Sequence, residues 1–265
     1  MKIPYAATGA LVALLIAPLQ IAAGIVPPRA VRHADAAHGA AERQPDFRWR
    51  GHIDRGKTIE VRGVNGAIRA ERASGDVVEV TAVKRARRSD PESVTIEVVP
   101  HGDGVTICAV YPSRSESTPN ECRPGGGRNS ARDNDVVVEF TVRVPEGVRL
   151  VATTVNGKIE ARNLAGDAEL KTVNGSVAVS TTGLAHASTV NGSIEAVLGR
   201  TDWAGDLEFN TVNGSITVEM PEGLSTELVA TTVNGRISLD FPITVSGRLS
   251  PRRLQGTIGD GGRRL

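Results

Sequence analysis

Leu150-Val151-Ala152-Thr153-Thr154-Val155-Asn156-Gly157 occurs a second time, unchanged, at 228–235, an offset of 78 residues. Its last three residues occur six times: Val64-Asn65-Gly66, Val155-Asn156-Gly157, Val173-Asn174-Gly175, Val190-Asn191-Gly192, Val212-Asn213-Gly214 and Val233-Asn234-Gly235. The last five follow one another at intervals of 18, 17, 22 and 21 residues, and the first stands 91 residues ahead of them. A period near 20 is the mark of one supersecondary unit stacked on copies of itself. The units match beyond the tripeptide. Pro145-Glu146-Gly147 and Pro221-Glu222-Gly223 precede the two octapeptides, and Ala165-Gly166-Asp167 and Ala204-Gly205-Asp206 lead into further copies 39 residues apart. Offsets of 39 and 78 read as two coils and four. Leu254-Gln255-Gly256-Thr257-Ile258 reads as a degenerate seventh copy.

Outward from each Asn-Gly the alternation is that of a strand. A valine always precedes the asparagine. Two residues after the glycine stand Ile68, Ile159, Val177, Ile194, Ile216 and Ile237, and four after it Ala70, Ala161, Val179, Ala196, Val218 and Leu239. The positions between are mostly polar, so one face is predicted to be buried and one wet. Asn-Gly itself has two readings. It suits a two-residue hairpin, because both residues accept positive φ. It also suits the corner of a stacked coil, where asparagines of successive rungs form a hydrogen-bonded ladder. The expectation is all-β: a parallel β-solenoid, a β-helix-like stack of rungs about 20 residues long with an N-terminal β capping region. The alternative is an antiparallel β meander or sandwich of hairpins.

The apolar run at 6–26 follows a lone Lys2 and predicts a signal peptide over 1–26, or else an N-terminal membrane anchor. Residues 27–46, rich in alanine, proline and charge, read as a linker. An N-terminal β region then covers 47–144. It opens with a strand carrying Phe47, Trp49 and Ile53 that is expected to cover the first rung, and continues through apolar runs at 77–83, 94–99, 105–110 and 136–144. The regular Val-Asn-Gly repeats occupy 145–265. Cys108 and Cys122 are the two cysteines, and in an exported chain such a pair is read as a disulfide. It ties a loop, 108–134, whose serine, proline and glycine content cannot fold alone.

A formal net charge of +1 leaves no electrostatic footprint for nucleic acid. Aromatic residues make up 3%, too few for a sugar-gripping site built on ring stacking and suited to a thin core of Val, Ile, Leu and Ala. Lys84-Arg85-Ala86-Arg87-Arg88 is the densest charge run and reads as a solvated turn, with an anionic polymer as the functional alternative. Asp133-Asn134-Asp135 reads as a polar turn, with calcium as the alternative. His33, His38, His52, His101 and His186 are scattered and suggest no metal set. The outward columns, Arg69, Glu160, Ala178, Glu195, Thr217 and Ser238 in one and Glu71, Arg162, Ser180, Val197, Glu219 and Asp240 in the other, gather no cluster of acids and bases on one face; Glu219 and Asp240 are the one adjacent carboxylate pair. Hence no catalytic, cofactor-binding or metal-binding residue is assigned. The equivalent residues Asn65, Gly66, Asn156, Gly157, Asn174, Gly175, Asn191, Gly192, Asn213, Gly214, Asn234 and Gly235 are assigned a structural role, because a true site would single out one or two rungs.

Repeated Thr-Val-Asn-Gly-Ser-Ile, the Val-Pro-Glu-Gly ahead of the rungs and the Gly-Asp corners resemble the bacterial "putative adhesin" family, a domain of unknown function, from about Phe47 to the C-terminus. The resemblance implies an exported all-β repeat protein. Members similar to this chain often continue past a Gly-Gly-Arg-Arg-Leu segment into another Thr-Val-Asn-Gly rung, whereas here that segment ends at Leu265. The expected function is a non-catalytic, adhesin-like binding or scaffold role in the periplasm, at the cell surface or in the medium. It would act through repeated polar strand faces on a glycan or protein partner of the envelope, with no nucleic acid, and with a membrane only if the N-terminal segment stays uncleaved. The alternatives are a polysaccharide-active β-helix enzyme and an envelope stress protein acting through protein contacts.

Overall fold

Small and β-branched apolar residues at every second position favour pleated, half-buried backbone over helix. Among the described residues only strands and one 3-10 turn, Pro91–Ser93, form. The computed structural model describes residues 44–113, 115, 117–199, 207–221, 226–239, 249–250 and 252–258. The expected leader, residues 27–43 of the linker and the tail 259–265 lie outside these. Arg43–Leu265 belongs to one unit.

The N-terminal strands are β1 (Phe47–His52), β2 (Thr58–Arg62), β3 (Ile68–Arg72), β4 (Val77–Arg85), β5 (Thr95–His101), β6 (Gly104–Val110) and β7 (Val137–Val144). The repeats supply β8 (Arg149–Thr153), β9 (Ile159–Leu164), β10 (Ala168–Lys171), β11 (Val177–Thr181), β12 (Ala185–Asn191) and β13 (Ile194–Leu198). They continue with β14 (Glu208–Asn213), β15 (Ile216–Glu219), β16 (Thr226–Asn234) and β17 (Ile237–Leu239), after which come β18 (Leu249–Ser250) and β19 (Arg253–Ile258).

These strands make two large mixed sheets. The first has the order β1-β4-β7-β3-β9-β11-β13-β15-β17 and the second β18-β19-β16-β14-β12-β10-β8-β2-β6-β5. Within the repeats the strands alternate between sheets, so the two strands flanking an Asn-Gly never pair with each other. Each pairs instead, in parallel, with the equivalent strand of the next repeat. Register is set by the apolar pattern, since a slip of one residue would turn every side chain to the wrong face. Ile159 stands opposite Val177, Val177 opposite Ile194, Ile194 opposite Ile216 and Ile216 opposite Ile237. One irregularity interrupts this order: after Ala161–Val179 the pairing resumes at Leu164–Thr181. Asn163 there adopts φ 53° and donates its N–H to Ser180 Oγ at 2.7 Å. Arg162 is therefore not opposite Ser180, and the second outward column steps sideways at that point.

The first Val-Asn-Gly unit, β2–β3, lies directly beside the second, β8–β9, in both sheets, although 91 residues separate them in sequence. The chain between extends the sheets on the other side: β6 runs parallel to β2, and β7 parallel to β3. The direction then reverses, with β5 antiparallel to β6 and β4 antiparallel to β7. β1 pairs antiparallel with β4 at the sheet margin and does not cover the first rung as expected. Two strands, β4 and β7, stand between β1 and β3, because β3 already has parallel partners on both edges. At the opposite end β19 runs antiparallel to β16, and β18 antiparallel to β19. The segment 254–258 is therefore not a seventh parallel rung. Its Gln255-Gly256 lies inside a strand where an Asn-Gly would turn a corner.

Apolar side chains of both sheets meet in one cluster, in which Ile59, Phe140, Leu150, Ile159, Leu170 and Phe209 are among the fully buried. Each such side chain contributes about 1.5–3 kcal/mol relative to exposure. Stacking β-sheet on β-sheet in this way leaves the polar alternate positions of both sheets facing out.

Candidate functional site

Five of the six corners read Thr-Val-Asn-Gly, and the first has Gly63 in place of the threonine. The threonine of Thr-Val-Asn-Gly is buried, and its hydroxyl donates to the glycine carbonyl of the neighbouring corner: Thr172 Oγ1 to Gly157 O at 2.9 Å, Thr189 to Gly175 at 2.8 Å, Thr211 to Gly192 at 2.8 Å. The asparagines form a continuous amide ladder. Asn156 donates to Asn65, Asn174 to Asn156, Asn191 to Asn174, Asn213 to Asn191 and Asn234 to Asn213, each at 2.8 Å. From the third corner on the valine departs from the alternation read in the sequence, whereas Val64 at the first is buried and Val155 at the second is half-buried against the core. Val173, Val190 and Val212 are each 39% exposed and Val233 54%. The corner shifts the phase, so the threonine points in and the valine after it points out. The threonine column was legible as a residue type at a fixed place, but its inward direction was not.

Thr189→Val keeps the shape and removes the O–H. The expected loss is about 1 kcal/mol, the cost of leaving the half-buried Gly175 carbonyl short of a donor. A denaturant midpoint equal to that of the unmodified chain would show that this bond is idle.

Cys108 and Cys122 are joined, with Cα atoms 5.6 Å apart, and fasten the segment after β6 back onto it. Polar side chains complete the fastening. Asn120 Nδ2 donates to Tyr111 O at 2.8 Å and to Ser130 O at 3.1 Å, and Asn129 Oδ1 accepts from Tyr111 N. The Tyr111 hydroxyl donates to Val136 O at 2.7 Å, and its burial pushes its pKa up to about 12.

Beyond the disulfide the tied loop reaches the outward face of the second sheet at Glu60. Glu60 on β2, only 4% exposed, accepts from Arg62 Nη1, Thr106 Oγ1 and the Gly125 N–H, all at 2.8 Å. His101 Nε2 lies 3.1 Å from Thr106 Oγ1. Beside this latch runs an open groove of about 550 Å³, walled by Arg149, Glu169 and Lys171. Lys171, which donates to Glu169 Oε1 at 2.6 Å, holds the Glu169 carboxyl below its ordinary range, assisted by the charges of Arg149 and His186. The Glu60–Thr106–His101 chain resembles a relay only in its residue types. The Thr106 hydroxyl is fully buried and already donates to Glu60, so no substrate atom can reach it. The chain holds the loop on the sheet, and the groove offers paired charges and hydroxyls to a ligand.

The two polar runs singled out in the sequence meet each other. Lys84, the first residue of the basic run, is buried, with Nζ 3.0 Å from Glu92 and 3.3 Å from Val94 O. Asp135 accepts from the N–H groups of Arg87, Arg88 and Ser89, and Asn134 Nδ2 donates to Ser93 Oγ. The Ser89 N–H, then its hydroxyl, and then the Arg88 and Arg87 N–H groups lower the Asp135 pKa from 3.8 to about 2. A depressed carboxyl stabilises the fold fully above its unfolded value, and that contribution is lost as pH falls through the folded value. Melting temperatures of the unmodified chain should therefore fall more steeply between pH 4 and pH 2 than those of Asp135→Asn. Parallel curves would remove Asp135 as the anchor of this turn. Among the described residues no group of three or more His, Cys, Asp or Glu is placed to hold a metal ion.

No family model matches the sequence, and no curated protein matches it. Among solved structures the chain is similar to a "putative cell adhesion protein" of Clostridium sporogenes, at 10% identity and a TM-score of 0.35, over 70% of this chain and 76% of that one. It is also similar to a "putative adhesin" of Parabacteroides merdae, at 9% identity and a TM-score of 0.19, over 82% of this chain and 95% of that one.

Proposed function

We propose that this chain is an exported, non-catalytic binding or scaffold protein of the bacterial cell envelope, adhesin-like in action, whose repeats wind as a flattened parallel β-solenoid. The parallel pairing of equivalent strands in both sheets supports the winding. The disulfide supports an oxidising compartment, where such bonds persist. The observation that carries the function is the register of the outward faces. Arg69, Glu160, Ala178, Glu195, Thr217 and Ser238 stand opposite one another in a single row across six strands. A row of this kind meets an extended glycan or protein partner through many weak polar contacts, and its affinity grows with the length engaged.

The test is binding of the full chain to intact bacterial cells, peptidoglycan and a glycan panel. Saturable binding that weakens when Glu160 and Glu195 are changed to lysine supports the reading. Absence of saturable binding to every member of the panel overturns it.

A further inference from the structure

The outward face of the first sheet carries a charge pattern that no contiguous stretch of sequence contains. Reading across the strands, Arg50 on β1 stands opposite Glu79 on β4, and Glu79 opposite Arg143 on β7. Arg143 stands opposite Glu71 on β3, and Glu71 opposite Arg162 on β9. Arginine and glutamate alternate strictly over five strands. Two of the contacts are ion pairs, Arg50–Glu79 at 3.9 Å and Arg143–Glu71 at 3.2 Å. Strands lie about 4.8 Å apart, so the three arginines recur at about 10 Å. Their side chains are 63%, 57% and 65% exposed, whereas that of Glu79 is 19% exposed. Next to this row runs Arg48, Thr81, Thr141, Arg69 and Glu160. Over the two rows five arginines face three glutamates, and a shallow hollow of about 180 Å³ lies among Arg69, Glu71, Thr141, Glu160 and Arg162.

We propose that this face binds a linear polysaccharide in which an acidic sugar alternates with a neutral one. The assignment rests on the binding role argued above and names its ligand. Guanidinium groups recognise carboxylate or sulfate through two parallel hydrogen bonds. A polymer with an anion on every unit would set like charges against Glu79 and Glu71, at a cost to binding. Nucleic acid and uniformly charged polyanions are disfavoured on that ground. In an alternating polymer the acidic units meet the arginines. The neutral units offer hydroxyl groups that donate to the glutamate oxygens and bond with Thr81 and Thr141.

The experiment uses the full chain and immobilised hyaluronan, which alternates glucuronate with N-acetylglucosamine. Polygalacturonate, charged on every unit, duplex DNA and anionic phospholipid vesicles serve as comparisons. Hyaluronan should bind at least about tenfold more tightly than polygalacturonate at equal charge, and the Arg50→Gln, Arg143→Gln, Arg162→Gln triple variant should lose that binding by about tenfold or more. Glu71→Gln with Glu79→Gln should bring polygalacturonate up to the level of hyaluronan, and this pair carries the test if the triple variant fails to fold. Equal binding of the two polysaccharides by the unmodified chain, tighter binding of DNA or vesicles, or a triple variant that binds unchanged overturns the proposal. If cells are still bound saturably in that event, only the ligand assignment falls; if neither cells nor polymers are bound, the binding role falls with it.

Discussion

Gly175→Ala will cost about 3 kcal/mol, at the upper end of what one added methyl group does in packed protein. A Cβ at this position would sit 2.1 Å from the carbonyl oxygen of Gly157 and 2.5 Å from its carbon. The same clash recurs along the stack, at 2.0 Å for Gly192 on Gly175 and 2.0 Å for Gly214 on Gly192. The obstacle is backbone, and that backbone is held. The Gly157 carbonyl accepts from Thr172 Oγ1, and the asparagine beside it is bonded on both sides in the amide ladder. Relief would need two corners to move apart, which breaks the ladder and the strand pairing together. Gly75→Ala and Gly102→Ala are the controls. Neither glycine has an atom within 4 Å of its added Cβ, and both substitutions should stay within about 0.5 kcal/mol of the unmodified chain. Denaturant midpoints compare the three variants directly. A Gly175→Ala midpoint that matches the controls would mean that the corners are not in contact.

Removing the disulfide, with Cys108→Ser and Cys122→Ser together, should lower stability by about 3 kcal/mol, the chain-entropy cost of releasing a loop of this size. The bond closes a sequence separation of 14. The loop beyond it also carries the Gly125 N–H that completes the donor set of Glu60. Release should therefore do more than shift a midpoint. Trypsin should gain access at Arg128, which Asn129 follows, under native conditions, while the repeats stay protected. An unchanged midpoint and an uncut loop would show that Asn120, Asn129 and Tyr111 hold the segment without the covalent tie.

Much of the candidate surface was hidden from the sequence for a definite reason. Arg50, Glu79, Arg143, Glu71 and Arg162 become neighbours only because β1, β4, β7, β3 and β9 lie side by side in that order. Chain order places β3 ahead of β4 and β7, so no column counted from the Asn-Gly corners includes Arg50, Glu79 or Arg143. Glu60 and Thr106 are likewise 46 residues apart and meet across parallel β2 and β6. The alternation read on either side of the corner was sound, but it ran through the corner without a break. In the fold, Thr172 is buried, Val173 and Asn174 are exposed, and Val177 is buried again, because a bend puts consecutive residues on its outer side.

From the sequence alone came the all-β class, the period, the corner residues and the strands within each repeat. These follow from local rules: side chains alternate along a strand, and Asn-Gly turns the chain wherever it occurs. Tertiary structure alone decided which strands are neighbours outside the regular repeats. It set the first Val-Asn-Gly unit beside the second across an insertion of more than 70 residues, reversed β4, β5 and β19, and aligned arginines from separate segments into one row. Pairing between distant strands depends on which backbone edges remain open once the core has closed. That is a property of the assembled sheets, and no window of sequence contains it.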